Sequence, residues 1–406
     1  MEKPLLVDEL FRKWAPGVYR QEEFAPRPSE FSTGVPVFIG TVKNASPEAL
    51  KKPQRLHFWP QFKLYVGGNE KEYQDCMLAY AVRGFFQNGG FFQNGWQQCY
   101  VVPLDAMTEA SLSEALETTA STLDVDLVCV PDLGLIDSDT QGPKHSLEKI
   151  VVKHCEDLAD RFAILDSHRG ATNDAVWDQW SDIDGKNGAI YYPWVRVRKF
   201  EESGETEPTI LVPPCGHVAG MYARTDHERG VHKAPANETL EGVLDLERHL
   251  TSSDQNFLNP KRVNCIRSFP GRGIRVWGAR TLSGQNAWTY VNVRRIFLTA
   301  VRWIHWHVGD AAFEPNDAQL WSRIERELNI YFMGLYRQGA LKGNDPQEAF
   351  YVKCDARTNP PEVRDLGQVV TEIGLAPAKP YEFVVVRLIH GASGVSISGP
   401  TRPEQN

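Results

Sequence analysis

The first half of the chain alternates short, mostly apolar runs with stretches of helical period. Pro36-Val37-Phe38-Ile39-Gly40, Cys99-Tyr100-Val101-Val102, Val125–Val130 (VDLVCV) and Arg161–Asp166 (RFAILD) are the runs. Each has strand length, and each lacks the polar alternation of a strand with one wet face. Between them, 73–82 and 111–122 read as helices. Leu147, Ile150, Val151, Cys155 and Leu158 recur at i, i+3, i+4, i+8 and i+11, one stripe on a helix from Ser146 to Ala159. Strands alternating with helices imply a parallel sheet with right-handed crossovers, hence an α/β domain.

The C-terminal third carries a second pattern. Val293, Ile296, Phe297, Ala300, Val301 and Ile304 form one helical stripe, with Asn292 placed to cap it. Asn316 with Gln319 three residues on reads as a capping box for a second helix. That helix shows Trp321, Ile324, Leu328, Tyr331 and Leu335 and should stop near Gly339–Gly343. Phe350–Asp355 and Glu382–His390 are strand candidates. The segments 84–96 (GFFQNGGFFQNGW), 167–187 and 201–208 read as a hairpin or packed loop and two exposed loops.

A length of 406 residues implies two or three domains, at ~100–200 residues each. The net charge of −8 gives no overall reason to expect nucleic acid or an anionic membrane as partner. The opening residues lack the apolar core of a secretory signal, and no apolar run reaches membrane-span length. The seven cysteines are scattered and form no CxxC pair, which argues for reduced buried thiols.

Three local motifs invite a chemical reading. In His227–His232 (HERGVH) the histidines stand five apart, ~140° around a helix, whereas a zinc pair needs i and i+4 on one face. His305 and His307 flank Trp306 and would point to different helix faces. Cys215-Gly216-His217 follows Pro213 and Pro214, which reads as a rigid turn rather than a nucleophile beside its base. No nucleotide loop or GxSxG appears, so no catalytic residue, metal or cofactor is expected.

Charge is distributed unevenly. From Gln255 to Gly309 there is no Asp or Glu, but there are nine basic side chains: Lys261, Arg262, Arg267, Arg272, Arg275, Arg280, Arg294, Arg295 and Arg302. Three readings stay open: an internal ion-pair system, nucleic-acid contact, and a protein partner with an acidic surface. The few aromatics are not interleaved as stacking platforms, which disfavours single-stranded nucleic acid.

Several strings resemble the contractile tail sheath family of phages, R-type bacteriocins and extracellular contractile injection systems. They are APGVYRQEE (15–23), FSTGVPVFIG (31–40), DVDLVCVPD (124–132), HCEDLADRFAILD (154–166), RGIRVWGARTL (272–282), WTYVNVRRIF (288–297), FEPND (313–317) and the stretch 365–388. The resemblance implies a subtilisin-like α/β middle domain without protease activity and an α+β C-terminal sheath domain. Its divisions would be an N-terminal arm at 1–30, the α/β domain at 31–280, the sheath domain at 281–380 and a C-terminal arm and tail at 381–406. It implies a subunit of hexameric rings stacked helically around an inner tube, with baseplate and terminal cap proteins as further partners. No nucleic acid and no membrane insertion are implied. Assembly would take place in the bacterial cytoplasm, as part of a phage tail or phage-tail-like particle. Strand exchange between subunits would use Gly17, Val18 and Tyr19 and Phe383, Val384, Val385, Val386, Arg387 and Leu388. Arg294, Arg295 and Arg302 are expected to face an acidic inner tube, with buried structural pairs as the alternative for Arg294 and Arg295. The alternatives are a nucleic-acid-binding protein using 255–309 and a hydrolase on a subtilisin-like fold.

Overall fold

Val37, Phe38 and Ile39 are consecutive and fully buried, yet Phe38 belongs to one hydrophobic cluster and its two neighbours to another. Successive strand residues point to opposite faces, so this strand is covered on both. The computed structural model describes residues 32–43, 49–66, 73–89, 98–135, 143–181, 183–200, 208–309, 314–380, 382, 387–391 and 394–398. The strands of its main sheet are β1 (Pro36–Thr41), β2 (Gln54–Leu56), β3 (Cys99–Leu104), β4 (Leu127–Cys129), β5 (Phe162–Asp166), β6 (Gly188–Tyr192), β9 (Glu238–Thr239), β11 (Val263–Phe269) and β12 (Gly273–Trp277). They lie in the order β2-β3-β1-β4-β5-β6-β11-β12-β9. All pairs from β3 to β11 are parallel, and β2, β12 and β9 add antiparallel edges. Strands β7 (Val195–Arg198), β8 (Thr209–Val212) and β10 (Asp245–Leu246) form a separate small sheet.

Helices cover both faces. On one lie α2 (Met77–Asn88) and α6 (Cys215–Arg229), whose Leu78, Val82, Phe85, Val218 and Tyr222 meet Phe38, Val101, Cys129 and Ile164. On the other lie α3 (Glu109–Ala120), α4 (Pro143–Leu158), α5 (Asn173–Trp180) and α7 (Ser252–Leu258). Their Leu112, Val151, Cys155, Val176 and Leu258 meet Val37, Ile39, Val128 and Leu165. Burying each such side chain stabilises by about 1.5–3 kcal/mol, which is why the two-sided pattern is so visible in sequence. A short helix α1 (Pro60–Val66) sits beside the edge strand β2.

The seam between α2 and α6 is unusually close. A Cβ on Gly216 would lie 2.2 Å from the Ala81 carbonyl oxygen and 2.4 Å from its Cα. Only glycine allows backbones to approach this way.

The last third follows α8 (Val291–Val308) and α9 (Ala318–Arg337) into a third cluster. Val291 and Leu298 pack into the α/β core, whereas Ala300 packs with Leu320, Ile324, Leu328 and Phe332 of α9 and with Phe350 and Val352. Those last two lie on β13 (Phe350–Lys353), which pairs with β14 (Glu372–Leu375). A final hairpin joins β15 (Arg387–Gly391) to β16 (Gly394–Ser398). The molecule is therefore mixed α/β with an α+β C-terminal region.

Several local expectations shift. The helix expected over 73–82 is α2, which starts at Met77 and continues through Gly84-Phe85-Phe86-Gln87-Asn88, absorbing the start of the near-repeat; residues 90–97 lie outside the described residues. The loop expected over 167–187 contains α5. Cys215-Gly216-His217 opens a helix, because prolines are tolerated where the first helical N–H groups have no partner anyway. Tyr290, not Asn292, is the cap residue of α8. Asp317, not Asn316, caps α9, accepting from the N–H of Gln319 and Leu320, while Asn316 accepts from the Trp321 indole.

Candidate interaction site

Part of the acid-free basic stretch, Arg295 and Arg302 on α8, enters a buried ion-pair assembly. Asp126 stands just before β4, and its carboxylate accepts from the backbone N–H of Gly34 at 3.0 Å and of Val35 at 2.6 Å. Asp226 lies in the last turn of α6. Arg295, on α8, reaches both: its two Nη atoms meet the Asp226 carboxylate at 2.8 and 2.5 Å, and Nη2 lies 3.1 Å from Asp126. Two helical turns further on, Arg302 lies 3.7 Å from Asp126 and donates to the Asp124 carbonyl at 2.8 Å. Arg294 donates to Asn187 at 2.5 Å and sits over the Trp288 ring.

Burial works against the Arg295 charge, but Asp226 and Asp126 more than offset it and hold its pKa above the ordinary value. Burial pushes the Asp226 carboxyl up, and Arg295 opposes that. Buried charges persist only with such close partners. The assembly clamps α8 against α6 and the leading edge of β4. Arg280 completes the pattern by donating to Glu382 at 2.9 Å. Three of the nine basic residues, Arg280, Arg295 and Arg302, thus find carboxylates in distant parts of the chain.

The burial of three arginines bears on the tube-facing expectation. Arg294, Arg295 and Arg302 are 8, 2 and 6% exposed, and their charged ends are turned inward. Asp126 and Asp226 were missed from sequence; a carboxylate inside the apolar run VDLVCV was the one available signal. Gly17, Val18, Tyr19, Phe383, Val384, Val385 and Val386 lie outside the described residues. Arg387 and Leu388 pair with Ser398 and Ile397 in the final hairpin.

The chemical motifs do not converge. His227 is on α6 and His232 beyond its end, and among the described residues no cluster of His, Cys, Asp or Glu could hold a metal. Burial pushes the Cys215 thiol well up, while its backbone N–H donates to Asp166 at 2.8 Å. His217 lies in the α2–α6 seam against Gly84, both ring nitrogens buried without a hydrogen-bond partner among the described residues.

His217 carries a pH prediction. Burial, aided by Arg83, pushes its imidazole down to about 3, so it stays neutral when folded. The unfolded chain takes up the proton at ~6.5. The resulting stability is complete above that pH and is lost as the pH falls toward 3, a few kcal/mol in all. His217→Leu should therefore flatten the acid side of the stability curve while leaving stability at pH 8 unchanged or higher. Urea midpoints measured from pH 8 to pH 4 check this; parallel curves for the two proteins would refute it.

Fold and site together define a mixed α/β protein in which Arg295 and Arg302 clamp α8 internally. Residues 105–282 match the phage tail sheath protein central domain, and residues 283–389 the phage tail sheath C-terminal domain. The chain belongs to the phage tail sheath family. It is 28% identical to the tail sheath protein of Vibrio phage KVP40 over 199 residues, 47% of this chain and 28% of that one. The chain thus matches less than half the length of the curated relatives. Near-complete matches exist among solved structures. The anti-feeding prophage baseplate, 6-fold symmetrised, contains a chain 30% identical, with a TM-score of 0.72 over 93% of this chain and 99% of that one. The PVC sheath complex in the contracted state contains one 27% identical, with a TM-score of 0.72 over 94 and 99%. The Vibrio phage protein is named a tail sheath protein, and the PVC chain comes from a sheath complex.

Proposed function

We propose that the chain is the sheath subunit of a contractile, phage-tail-like injection machine. Copies assemble as stacked hexameric rings around an inner tube, on a baseplate and beneath a terminal cap, and the sheath shortens to drive the tube through a target envelope. Assembly takes place in the bacterial cytoplasm. The observation that supports this best is the near end-to-end structural correspondence with the PVC sheath chain. A subunit contact that repeats without closing generates a filament. The internal clamp supports a body that moves as a unit, so that contraction would change packing between subunits. The inner-tube contact is assigned to residues other than the three clamped arginines.

In this reading the divisions are 1–30, 31–280, 281–380 and 381–406, and the two arms tether neighbours by strand addition through 17–19 and 383–388. The purified chain should form tubes visible by negative-stain microscopy; a monodisperse monomer in every condition that assembles related sheaths would refute the reading. Val385→Pro removes one backbone donor and restricts φ. It should yield a soluble, normally melting monomer without tubes. Normal tubes, or loss of the folded monomer, would defeat the strand-exchange assignment.

A further inference from the structure

The chain beyond β14 is held to the body at two places, with a gap between them. The first hold is main-chain. Ala376 N–H donates to the Ala349 carbonyl at 2.9 Å, Lys342 N–H to the Ala376 carbonyl at 2.7 Å and Ala378 N–H to the Ala340 carbonyl at 2.9 Å. Asn292 Nδ2, in the first turn of α8, adds a bond to the Ala378 carbonyl at 3.1 Å. The second hold is a side chain. Glu382 accepts from Arg280 Nε at 2.9 Å and also from Arg280 Nη2, and the Tyr290 hydroxyl is a third partner. Between the two holds, Lys379 and Pro380 make no hydrogen bond among the described residues. Ala378, Lys379, Pro380 and Glu382 instead line a groove of about 900 Å³. With that space beside the span, packing does little to fix it, and its far end depends on the ion pair.

The body side of the pair is rigidly built. The Arg280 N–H donates to Asn264 Oδ1 at 2.7 Å, its carbonyl accepts from Asn264 Nδ2 at 2.8 Å, and its Nη1 donates to the Asn259 carbonyl at 3.1 Å. Asn264 is fully buried on β11. A guanidinium held this way presents a fixed fork to a carboxylate. The strap side has no substitute, because Glu382 is the only Asp or Glu between Glu372 and Glu404. Both side chains are 17% exposed, so water reaches the pair and it can open without unfolding the core.

We propose that Arg280 and Glu382 form a releasable latch that sets the length of the C-terminal tether. Closed, it makes Glu382 the last point at which the body holds the chain before β15 among the described residues. Open, that point moves back to Ala378, and the four residues released add up to about 13–14 Å of reach. In the sheath reading proposed above, on which this consequence rests, the strand-exchange residues begin at Phe383, immediately after the latch. Its closure would fix how far one subunit can stand from the next.

The latch is tested on the full-length chain by native-state chymotrypsin cleavage after Tyr381 and Phe383, identified by mass. Rates are divided by those of synthetic peptides of residues 378–386 carrying the same substitutions. R280M and E382A should each speed cleavage by about tenfold, and the double variant should be no faster than either, because opening the latch once removes the whole protection. Unchanged cleavage in E382A, or additive effects in the double variant, would overturn the latch. E382A leaves the Arg280 bonds to Asn264 and Asn259 in place, so it decides the matter even where R280M folds poorly. Negative-stain microscopy then tests the tether. E382A should give fewer or irregular tubes at an unchanged melting temperature, and tubes as regular as those of the parent would overturn the tether-length role. A parent chain that forms no tubes would count against the sheath reading instead, and the cleavage rates alone would then decide the latch.

Discussion

Replacing Arg295 with Met should destabilise the folded chain by about 3–5 kcal/mol, because Asp226 and Asp126 would remain buried without their partner. Arg295 is 2% exposed and makes three contacts of 3.1 Å or less to the two carboxylates. The cost comes less from the lost attraction than from the charge left behind. The double variant R295M/D226L should therefore recover much of the loss, leaving Asp126 with Arg302 at 3.7 Å. Met at Arg272, which is exposed, should change stability by no more than about 0.5 kcal/mol. Urea denaturation followed by tryptophan fluorescence measures all three. If R295M cost no more than R272M, Arg295 would be behaving as a surface residue and the clamp would be wrong.

Gly216→Ala should lower stability by about 1–3 kcal/mol or more, although helix propensity alone predicts a gain of up to about 1 kcal/mol. The two effects have opposite signs, so the experiment discriminates cleanly. The added methyl would lie 2.2–2.6 Å from three backbone atoms of Ala81, and backbone cannot rotate out of the way as a flexible side chain can. Helices α2 and α6 would have to separate, loosening Val82, Phe85, Val218 and Tyr222 from the sheet. A thermal melt of the purified variant decides it. A melting temperature equal to or above that of the parent chain would show that the seam is looser than described.

Legibility followed the range of the interactions. The strands at Pro36–Thr41, Cys99–Leu104 and Phe162–Asp166 announce themselves because burial on both faces demands continuous apolar side chains, a strictly local pattern. The stripe Trp321, Ile324, Leu328 of α9 is equally local, set by 3.6 residues per turn, and it lands in the third cluster. Boundaries were less legible. Asn316 and Asp317 can both cap a helix, and only the backbone path decided that Asp317 meets the N–H groups of Gln319 and Leu320. Cys215-Gly216-His217 failed as a turn because its role is set by Ala81 and Gly84, more than 130 residues earlier in the chain.

The amino-acid order by itself determined the α/β body, the helical C-terminal third and the family resemblance, since periodicity and word order need no knowledge of distant neighbours. The tertiary structure alone decided what three cations of the basic stretch do. Nine cations without a single acid in 55 residues look like a surface awaiting a partner. Yet Arg295 finds Asp126 across 169 positions and Asp226 across 69, and Arg280 finds Glu382 across 102. Coulomb attraction depends on separation in space and on local dielectric, and spacing along the chain records neither.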